Sequence, residues 1–441
     1  MKFNIDELIR NTDGILLKGN VKDEREFLIS TDTRTINKND FYLPLRGENY
    51  DGHSFIDNAL KQGAIGYFTQ DKDKIINEAD FVIYVQNTLS AYLSLAKYIR
   101  EKINPKVYAI TGSSGKTTVK EMLYSVLSQK YKTYKTNLNH NNEIGLCETF
   151  FNMPNDTEFL VLEMGMRNLG EIELLSKYST PDVGIITNVG TAHVELLGNT
   201  KNIALAKCEI ASHLKKDGCF IAPVSKIIED TINYDGKKIF ANNGCNIKIE
   251  TGKTTFTYKN EEYTLNIEGE HNVQNAILVI EAGIFANIDI ETVKKGLLNF
   301  KPIEKRWEKS DIKGIYFIND SYNANPESMK AAIKTFLTIQ NPPLALVLGD
   351  MGELGKDSIL YHKEIGEFIS SFKNRDDILL LTVGELAKFI LKASLCRGKS
   401  FQNTTECAEY INSNVKKGTT VLLKASRFMK FEQIIETVKN L

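Results

Sequence analysis

The sequence lacks the patterns that mark disulfide frameworks, zinc sites, secreted proteins and membrane proteins. Its six cysteines form no C-x-x-C pair, which argues against a zinc site or a disulfide framework, and we expect them to be reduced and mostly structural. No apolar run is long enough to span a membrane, and the charged N-terminus, MKFNIDELIRNTDG, has no signal-peptide core. We therefore expect a cytoplasmic protein without membrane insertion.

An excess of charge of one sign is also lacking. The chain carries 55 Lys and Arg against 56 Asp and Glu, a formal net charge of -1, with no long basic block and no interleaving of aromatic and basic residues. This balance argues against nucleic acid or an anionic membrane surface as a partner. A length of 441 residues, 42% of them hydrophobic and 25% charged, predicts a globular protein of two or three domains.

Short apolar runs bounded by glycines alternate with helical segments along the chain. This pattern predicts an α/β fold with mostly parallel, helix-covered sheets. Asn104-Pro105 and Lys301-Pro302 interrupt it, which predicts a small N-terminal α/β domain (1–103), a central P-loop domain (104–303) and a C-terminal doubly wound domain (304–441). Within the central domain we expect a helix from about Asn202 to Leu214 and hairpins from Tyr234 to Tyr263.

The segment TGSSGKTT lies between the strand-like VYAI and an amphipathic helical stretch, and this is the setting of a P-loop. Backbone N–H groups of such a turn form an anion site, Lys116 adds positive charge near the terminal phosphates, and Thr117 offers a hydroxyl to Mg²⁺. The general pattern requires glycine at position 110, where this chain has Ile110, so a plain glycine turn is the alternative. We assign ATP or GTP binding to the loop residues Gly112, Ser113, Ser114, Gly115, Lys116, Thr117 and Thr118.

Three ionisable residues follow or lie within the neighbouring elements. Glu163 ends the apolar run FLVLE, where a second-strand carboxylate usually supports Mg²⁺; the alternative is a carboxylate that only caps the strand. His193 follows a strand in the same way, but a lone histidine is more often structural than a ligand. Lys207 lies within the helical ALAKCEI and, read without context, is a solvated lysine.

Polar residues also concentrate in four segments: STDTR (30–34), RGENYDGHSF (46–55), NLNHNNEIG (137–145) and NDSYNANPESM (319–329). For the first two, ordinary turns with a helix cap at Asp51 or Ser54 are the alternative. Turn chemistry does not explain the whole of the fourth segment. Asparagines donate and accept hydrogen bonds, which suits a sugar or peptide substrate better than a metal.

These segments, together with LEMGMRNLGEI, GTAHVELLG, AKCEI, GEHNVQNA and LGDMGELG, resemble the Mur ligase family in order and spacing, and within it the MurF type. The resemblance covers about Ser30 to Arg427. The family's loop reads TGxxGKT, so Ile110 no longer counts against phosphate binding.

The resemblance implies a fold and an activity. Its N-terminal domain holds UDP-MurNAc-peptide, its central domain binds ATP, and its Rossmann-like C-terminal domain receives the amine. The implied reaction adds D-Ala-D-Ala to UDP-MurNAc-tripeptide through an acyl phosphate, forming ADP, in cytoplasmic peptidoglycan precursor synthesis. The implied cofactors are ATP, two Mg²⁺ ions and a carbamylated lysine. We expect a monomer.

The resemblance also implies residue roles. Lys116 contacts the terminal phosphates, Thr117 and Glu163 hold one Mg²⁺, and His193 and carbamylated Lys207 hold the other; these residues other than Thr117 form the predicted catalytic set. Further residues on the nucleotide side are Asn272, Asn275, Arg306 and Asp320. The predicted substrate-binding residues are Ser30, Asp32, Thr33, Arg34, Asn139, Asn142, Arg167 and Asn323.

Two kinds of alternative function stay open at this point. A sibling ligase would be of the MurE type, which adds a diamino acid, or a folylpolyglutamate synthase; the MurE type for diaminopimelate carries a D-N-P-R string that this chain lacks. The alternative from another class is a P-loop switch protein, which binds nucleotide without making a bond. Dependence of ADP release on both a UDP-muramoyl peptide and an amine separates the two classes.

Overall fold

The structure is a computed structural model that describes residues 1–47, 50–73, 75–137, 140–301, 305–373 and 375–441. The chain divides into two compact units. The first unit comprises Met1–Val107, Tyr134–Leu160 and Lys177–Thr180, and the second unit comprises Tyr108–Thr133, Val161–Ser176 and Pro181–Leu441. The finer division into three domains at 103 and 303 stays a prediction.

The first unit is built on a five-stranded sheet. Its order is Ile15–Lys18, Phe81–Tyr84, Gly66–Thr69, Phe41–Tyr42 and Ile29–Ser30. Ile15–Lys18 pairs antiparallel and the other pairs are parallel. A two-stranded ribbon is formed by Arg46–Gly47 and Tyr50–Asp51. The helices are Ile5–Thr12, Gly52–Phe55 (3-10), Ile56–Lys61, Thr88–Ile103 and Glu143–Phe151.

The long helix of the first unit shows why these elements form. Thr88–Ile103 begins where the side chain of Asn87 accepts a hydrogen bond from the N–H of Ser90, and it ends at Asn104, whose backbone is left-handed. One face is buried, with Tyr92, Leu95, Ala96 and Ile99 among its members. The predicted break at Asn104 is thus confirmed as a helix end.

The central sheet, which contains the P-loop strand, has deeply buried inner strands. Its order is Lys237–Ala241, Cys219–Pro223, Val183–Ile186, Lys106–Thr111 and Phe159–Glu163. Val183–Ile186 pairs parallel to both of its neighbours and Cys219–Pro223 pairs parallel to Lys237–Ala241, with Val183 opposite Tyr108 and Cys219 opposite Lys237. The short strand Thr133–Lys135 is the last strand of this sheet. The parallel α/β prediction is confirmed here.

Helices connect and cover this sheet. They are Lys116–Leu127, Glu171–Ser179, Val194–Leu197, Thr200–Cys208, Lys226–Glu229, Glu270–Phe285 and Ile290–Asn299. The helix expected over Asn202–Leu214 is shorter, because Thr200–Cys208 passes into a 3-10 turn, Glu209–Ala211.

The stretch expected to form hairpins is divided between two sheets. Lys237–Ala241 pairs parallel to Cys219–Pro223 and extends the central sheet, so the hairpin prediction was wrong there. The strands Cys245–Glu250, Lys253–Tyr258 and Glu261–Leu265 do form an antiparallel meander. Thr254 and Tyr263 are buried on one face of the meander, as alternation predicts.

The rest of the second unit contains a six-stranded sheet. Its order is Glu308–Ile312, Ile315–Asn319, Thr420–Lys424, Leu344–Gly349, Ile378–Val383 and Gly398–Phe401. The first strand, which sequence reasoning missed, is antiparallel, and the others are parallel. Its α-helices are Pro326–Ile339, Ser358–Ser370, Lys388–Ser394, Thr404–Asn414 and Glu432–Asn440, with 3-10 turns at Gly355–Asp357, Arg375–Asp377 and Arg427–Met429.

No helix in the described part of the chain combines the length and the apolar character that crossing a membrane requires.

Candidate active site

The P-loop begins where its strand ends. Ile110 is fully buried in the strand Lys106–Thr111, pairs with Ile185, and accepts a hydrogen bond from the N–H of Met164. Gly112 makes the turn, with φ of 153°, and a Cβ there would lie 1.8 Å from Oγ1 of Thr187. Ile110, which departs from the general pattern, is therefore a residue of the strand. The position that requires glycine in this loop is 112.

The loop is held in shape by the segment that follows Val183–Ile186, the strand paired with Lys106–Thr111. The N–H of Ser113 donates to the carbonyl of Asn188, and the N–H of Ser114 donates to Oδ1 of Asn188 at 3.0 Å. The N–H of Gly190 donates to Oγ of Ser113 at 2.9 Å. Sequence reasoning did not single out Asn188, although it lies within the apolar run VGIITNVG (183–190).

Lys116 and Thr117 open the helix that follows the loop. Nζ of Lys116 donates to the carbonyl of Gly112 at 2.7 Å, and burial lowers the pKa of the lysine. Gly115 has φ of 79°, and a Cβ there would lie 2.6 Å from Oδ1 of Asn275. Thr117 is buried in the first helical turn, so the lysine and the hydroxyl both stand at a helix N-terminus, where anions bind.

Glu163 is buried at the end of its strand and lies beside a lysine that the sequence did not reveal. Nζ of the fully buried Lys120 is 3.5 Å from Oε2 of Glu163. Lys120 lies one turn after Lys116 on the same helix. The buried carboxylate is thus held near positive charge.

His193 follows its strand as predicted and contacts a carboxylate from the C-terminal part of the chain. Its Nδ1 lies 2.7 Å from Oε2 of Glu353. Hydrogen bonding with His193 lowers the pKa of Glu353. Both residues adopt left-handed backbone, with φ of 67° and 61°. Glu353 belongs to the quoted string LGDMGELG, but only the fold reveals its partner.

Lys207 is not the solvated lysine that its local sequence indicates. Only 1% of the residue is exposed, and burial lowers its pKa well below the ordinary lysine value. On the same helix Ile203 and Ala204 are also buried, whereas Lys201 is exposed. The face that carries Lys207 therefore points into the protein, where a neutral amine is favoured.

Three side chains from the C-terminal part of the chain contact the P-loop region. Nη2 of Arg306 donates to Oγ1 of Thr117 at 2.9 Å. Nδ2 of Asn325 donates to the carbonyl of Ser113 at 3.4 Å, and Asn325 also caps the helix Pro326–Ile339. The carboxylate of Glu327 accepts from both the N–H and the hydroxyl of Thr191. Of these, only Arg306 was predicted.

Asp320 is two residues before Tyr322, whose ring contacts Arg306. It forms an ion pair with a buried lysine. Oδ2 of Asp320 is 2.6 Å from Nζ of Lys424, which is 3% exposed. Lys424 also donates to the carbonyl of Asn323 at 3.3 Å. Sequence reasoning missed Lys424, because its run TVLLKAS gives only a strand.

The two asparagines predicted on the nucleotide side lie on one buried helix face. Asn272 and Asn275 are 3% and 6% exposed, and Nδ2 of Asn275 lies 3.4 Å from Oδ1 of Asn272. Asn272 also donates to the carbonyl of Glu268. Since Asn275 contacts Gly115, the helix Glu270–Phe285 carries this pair directly against the loop.

Arg167, predicted to bind substrate, lies in the second unit shortly after Glu163. It is exposed, and its backbone N–H donates to Oε2 of Glu171 at 2.7 Å. The exposed Asn323 contributes its carbonyl to Lys424. Neither side chain is part of the buried core.

The remaining predicted substrate residues lie in the first unit. Asp32 accepts from the backbone and side chain of Arg34, and the arginine lowers the pKa of Asp32 to about 2. Oγ of Ser30 donates to the carbonyl of Asp32 at 3.0 Å, while Thr33 is buried. The structure brings these four together in one turn.

Of the two predicted asparagines in the first unit, Asn142 caps the helix Glu143–Phe151 by accepting from the N–H of Gly145 at 3.0 Å. Asn139 lies outside the described residues. The first unit also has a cavity of about 300 Å³. Its lining includes Arg46, His53, Asp57 and Gln70.

Family models match most of the chain in three consecutive parts. The Mur ligase family catalytic domain matches residues 28–113, the Mur ligase middle domain matches 110–283, and the Mur ligase glutamate ligase domain matches 305–427. Among curated relatives, the UDP-N-acetylmuramoyl-tripeptide–D-alanyl-D-alanine ligase of Bacillus subtilis is 38% identical over 424 residues, covering 92% of each chain. The protein of that name from Escherichia coli is 30% identical over 432 residues, covering 93% of each.

The chain is also similar to solved structures of MurF proteins. MurF from Acinetobacter baumannii superposes with a TM-score of 0.91 at 28% identity, over 100% of this chain and 99% of the other. MurF from Thermotoga maritima in complex with ADP gives 0.83 at 26% identity, over 94% and 97%. A folylpolyglutamate synthase from Thermotoga maritima, at 16% identity and a TM-score of 0.55, shares the fold alone. The chain belongs to the Mur ligase family.

Proposed function

We propose that the chain is an ATP-dependent ligase that joins D-alanyl-D-alanine to UDP-N-acetylmuramoyl-tripeptide and forms ADP and phosphate. The observation that carries the proposal is 38% identity, over 92% of the chain, to a ligase named for these substrates. The P-loop with Lys116, the buried Glu163 and the buried Lys207 supply the local chemistry that such a reaction needs.

The reaction has two steps in this proposal. The terminal carboxylate of the tripeptide attacks the γ-phosphorus of ATP, which releases ADP and leaves an acyl phosphate. The free amine of D-alanyl-D-alanine then attacks the acyl carbon, and phosphate leaves as the amide forms and the amine loses a proton. Because carboxylate and triphosphate are both anionic, Lys116 and Arg306 stabilise the first step by their positive charge.

The residues present fit a magnesium site of the kind that substrate phosphates complete. Among the described residues, no group of three or more His, Cys, Asp or Glu side chains is placed to hold a metal alone. Mg²⁺ is usually held by one or two protein ligands together with phosphate oxygens and water. Thr117, in the first turn of the helix after the P-loop, and Glu163, at the end of its strand, would hold this ion, which would polarise the phosphates.

A second Mg²⁺ would be held by His193 and Lys207. The contact of Nδ1 of His193 with Glu353 is the arrangement that orients a metal-binding imidazole and leaves Nε2 for the ion. Lys207 would bind as a carbamate. Its burial and lowered pKa support that role, because the neutral amine is the form that captures CO₂.

The nucleotide-sugar peptide would bind through Ser30, Asp32, Thr33 and Arg34 of the first unit, and through Asn139 and Asn142. Arg167 and Asn323 would contact the reacting end of the substrates. Their support is the resemblance of their strings to the family and, for the residues other than Asn139, their exposure or turn geometry. Asn272, Asn275 and Asp320 would contribute to the nucleotide side.

The amine requirement tests the proposed function. Purified protein is given ATP, Mg²⁺ and a UDP-muramoyl tripeptide, and ADP release and amide product are measured with D-alanyl-D-alanine, lysine or diaminopimelate as the added amine. We expect product with the dipeptide only. Stimulation by lysine or diaminopimelate, and not by the dipeptide, would identify a diamino-acid ligase, and ADP release indifferent to both substrates would identify a switch protein.

A further inference from the structure

Three neighbouring strands of the C-terminal sheet end at one place. They are Ile315–Asn319, Thr420–Lys424 and Leu344–Gly349. The loops that follow them are tied together, because the N–H of Gly352 donates to Oγ of Ser426 and that hydroxyl donates to the carbonyl of Ala324. Ligands of doubly wound sheets bind at such carboxyl ends.

At this place two arginines lie near one aromatic ring. Cζ of Arg306 is 4.2 Å from the centroid of the Tyr322 ring, and Cζ of Arg427 is 5.9 Å from the same centroid. Arg306 reaches the P-loop through its hydrogen bond to Thr117. Because both guanidinium carbons are measured from the same ring centroid, the distance between them is at most about 10 Å.

Arg427 is weakly engaged by the protein. Its side chain is 56% exposed, and Nη1 lies 3.4 Å from Oε1 of Glu432. The same carboxylate oxygen is held more closely by Lys305, at 2.9 Å. A guanidinium has five N–H donors, and within the described chain this carboxylate is the one acidic partner of Arg427. The other donors of Arg427 are thus available for a ligand.

We propose that Arg427 is a specificity-determining residue that binds the terminal carboxylate of the incoming dipeptide. The inference rests on the proposed function. An extended dipeptide spans about 7 Å, so a carboxylate held at Arg427 leaves the amine within reach of the phosphates near Arg306 and Thr117. The planar fork of arginine matches a carboxylate in a bidentate arrangement.

The residue after Arg427 suits the small apolar side chains of such a dipeptide. Phe428 is 62% exposed, and its ring lies against Gly352, where a Cβ would be 3.0 Å from Cε1 of the ring. Arg427 and Phe428 together therefore offer a charged donor next to an apolar face. This pairing fits the carboxylate and methyl groups of an alanyl dipeptide.

The test compares Arg427→Met with the wild-type enzyme on two dipeptides, D-alanyl-D-alanine and D-alanyl-D-alaninamide, which lacks the carboxylate. For the wild type we expect the amide to have a KM at least about tenfold higher than the acid, because a charged hydrogen bond is lost. Arg427→Met should show the high KM with both dipeptides. Its KM values for ATP and the UDP-muramoyl tripeptide should be unchanged, and Arg427→Lys should recover part of the difference.

The matched control is Arg397→Met, because Arg397 is an exposed arginine just before the edge strand Gly398–Phe401 of the same sheet. It should discriminate between acid and amide as the wild type does. If Arg427→Met still has a lower KM for the dipeptide acid than for the amide, the assignment of Arg427 is overturned. Turnover of the dipeptide by that variant would leave the proposed function standing. A wild-type enzyme inert toward the dipeptide acid would overturn the proposed function and the assignment with it.

Discussion

Nη2 of Arg306 donates a hydrogen bond of 2.9 Å to Oγ1 of Thr117, a residue 189 positions earlier in the chain. The same hydroxyl is the one proposed to bind Mg²⁺. A hydroxyl oxygen has two lone pairs, so it can accept from Arg306 and still face a cation. The C-terminal part of the chain therefore contacts the phosphate-binding loop at its reactive end.

Replacement of Arg306 should impair turnover more than binding. Arg306→Ala removes a positive charge beside Thr117, and loss of one such electrostatic donor costs about 100-fold or more in kcat. Steady-state ADP release with all substrates present measures the effect. Arg397→Ala, which removes a distant exposed arginine, is the control, and equal kcat values for the two variants would contradict this role.

Replacement of Lys116 should abolish ligation and leave the fold intact. Its Nζ contacts the loop carbonyl of Gly112 and no core side chain is involved in that hydrogen bond. Amide product and the thermal unfolding midpoint are measured for Lys116→Ala, with Lys130→Ala, an exposed lysine beyond the same helix, as control. A folded Lys116→Ala protein with near-normal turnover would show that phosphate charge is stabilised elsewhere.

Replacement of Lys207 should remove most activity, and a small carboxylic acid should restore part of it. Because the lysine is buried with a pKa well below its ordinary value, it can form a carbamate, which acetate or formate would replace in Lys207→Ala. Product formation is measured with and without added formate. Lys201→Ala, an exposed lysine of the same helix, should be fully active and insensitive to formate, and full activity of Lys207→Ala would exclude the carbamate.

Glu353 predicts a pH dependence of stability. Its pKa in the folded protein is below the ordinary 4.5, so the deprotonated group stabilises the fold above that pH, and the contribution is lost as pH falls through the lower, folded value. Glu353→Gln should unfold slightly more readily than wild type at pH 7, by less than about 1 kcal/mol because the side chain is half exposed. The two unfolding midpoints should converge progressively as pH falls below 4.5, and a difference that does not shrink in acid would contradict the prediction.

The pair formed by the buried Lys424 and the partly exposed Asp320 predicts a larger loss of stability. Lys424→Met leaves the carboxylate of Asp320 and the carbonyl of Asn323 without their donor, which should lower the free energy of unfolding by about 3 kcal/mol. Denaturant unfolding measures it. The double variant Asp320→Asn with Lys424→Met should regain part of the loss, and no difference between the single and double variants would show that the charge itself is unimportant.

Local patterns predicted the elements that carry their own signals. The P-loop strand, its helix and the break at Asn104 are specified by apolar runs, glycines and a left-handed cap within a few residues. The strand Lys237–Ala241 was misjudged because its choice of a parallel partner depends on Cys219–Pro223, not on its own residues. The edge strand Glu308–Ile312 is polar and exposed, so it has no hydrophobic signal.

The site was predictable in its residue types and not in its contacts. Glu353 and His193 meet across 160 positions, and Lys424 meets Asp320 across 104. Such pairs arise when separate strands end at the same edge, and no spacing rule in the sequence encodes them. The burial of Lys207 has the same origin, because its helix face is chosen by packing and not by a marked amphipathic pattern.

The segment from Thr187 to His193 contacts the P-loop at Asn188 and Gly190 and the C-terminal part of the chain at Thr191 and His193. Its length is consequently fixed by two sets of partners at once. Inserting one residue between Asn188 and Thr191 would displace either the loop contacts or the contacts with Glu327. We therefore expect such an insertion to impair turnover even when every contacting side chain of the segment is kept.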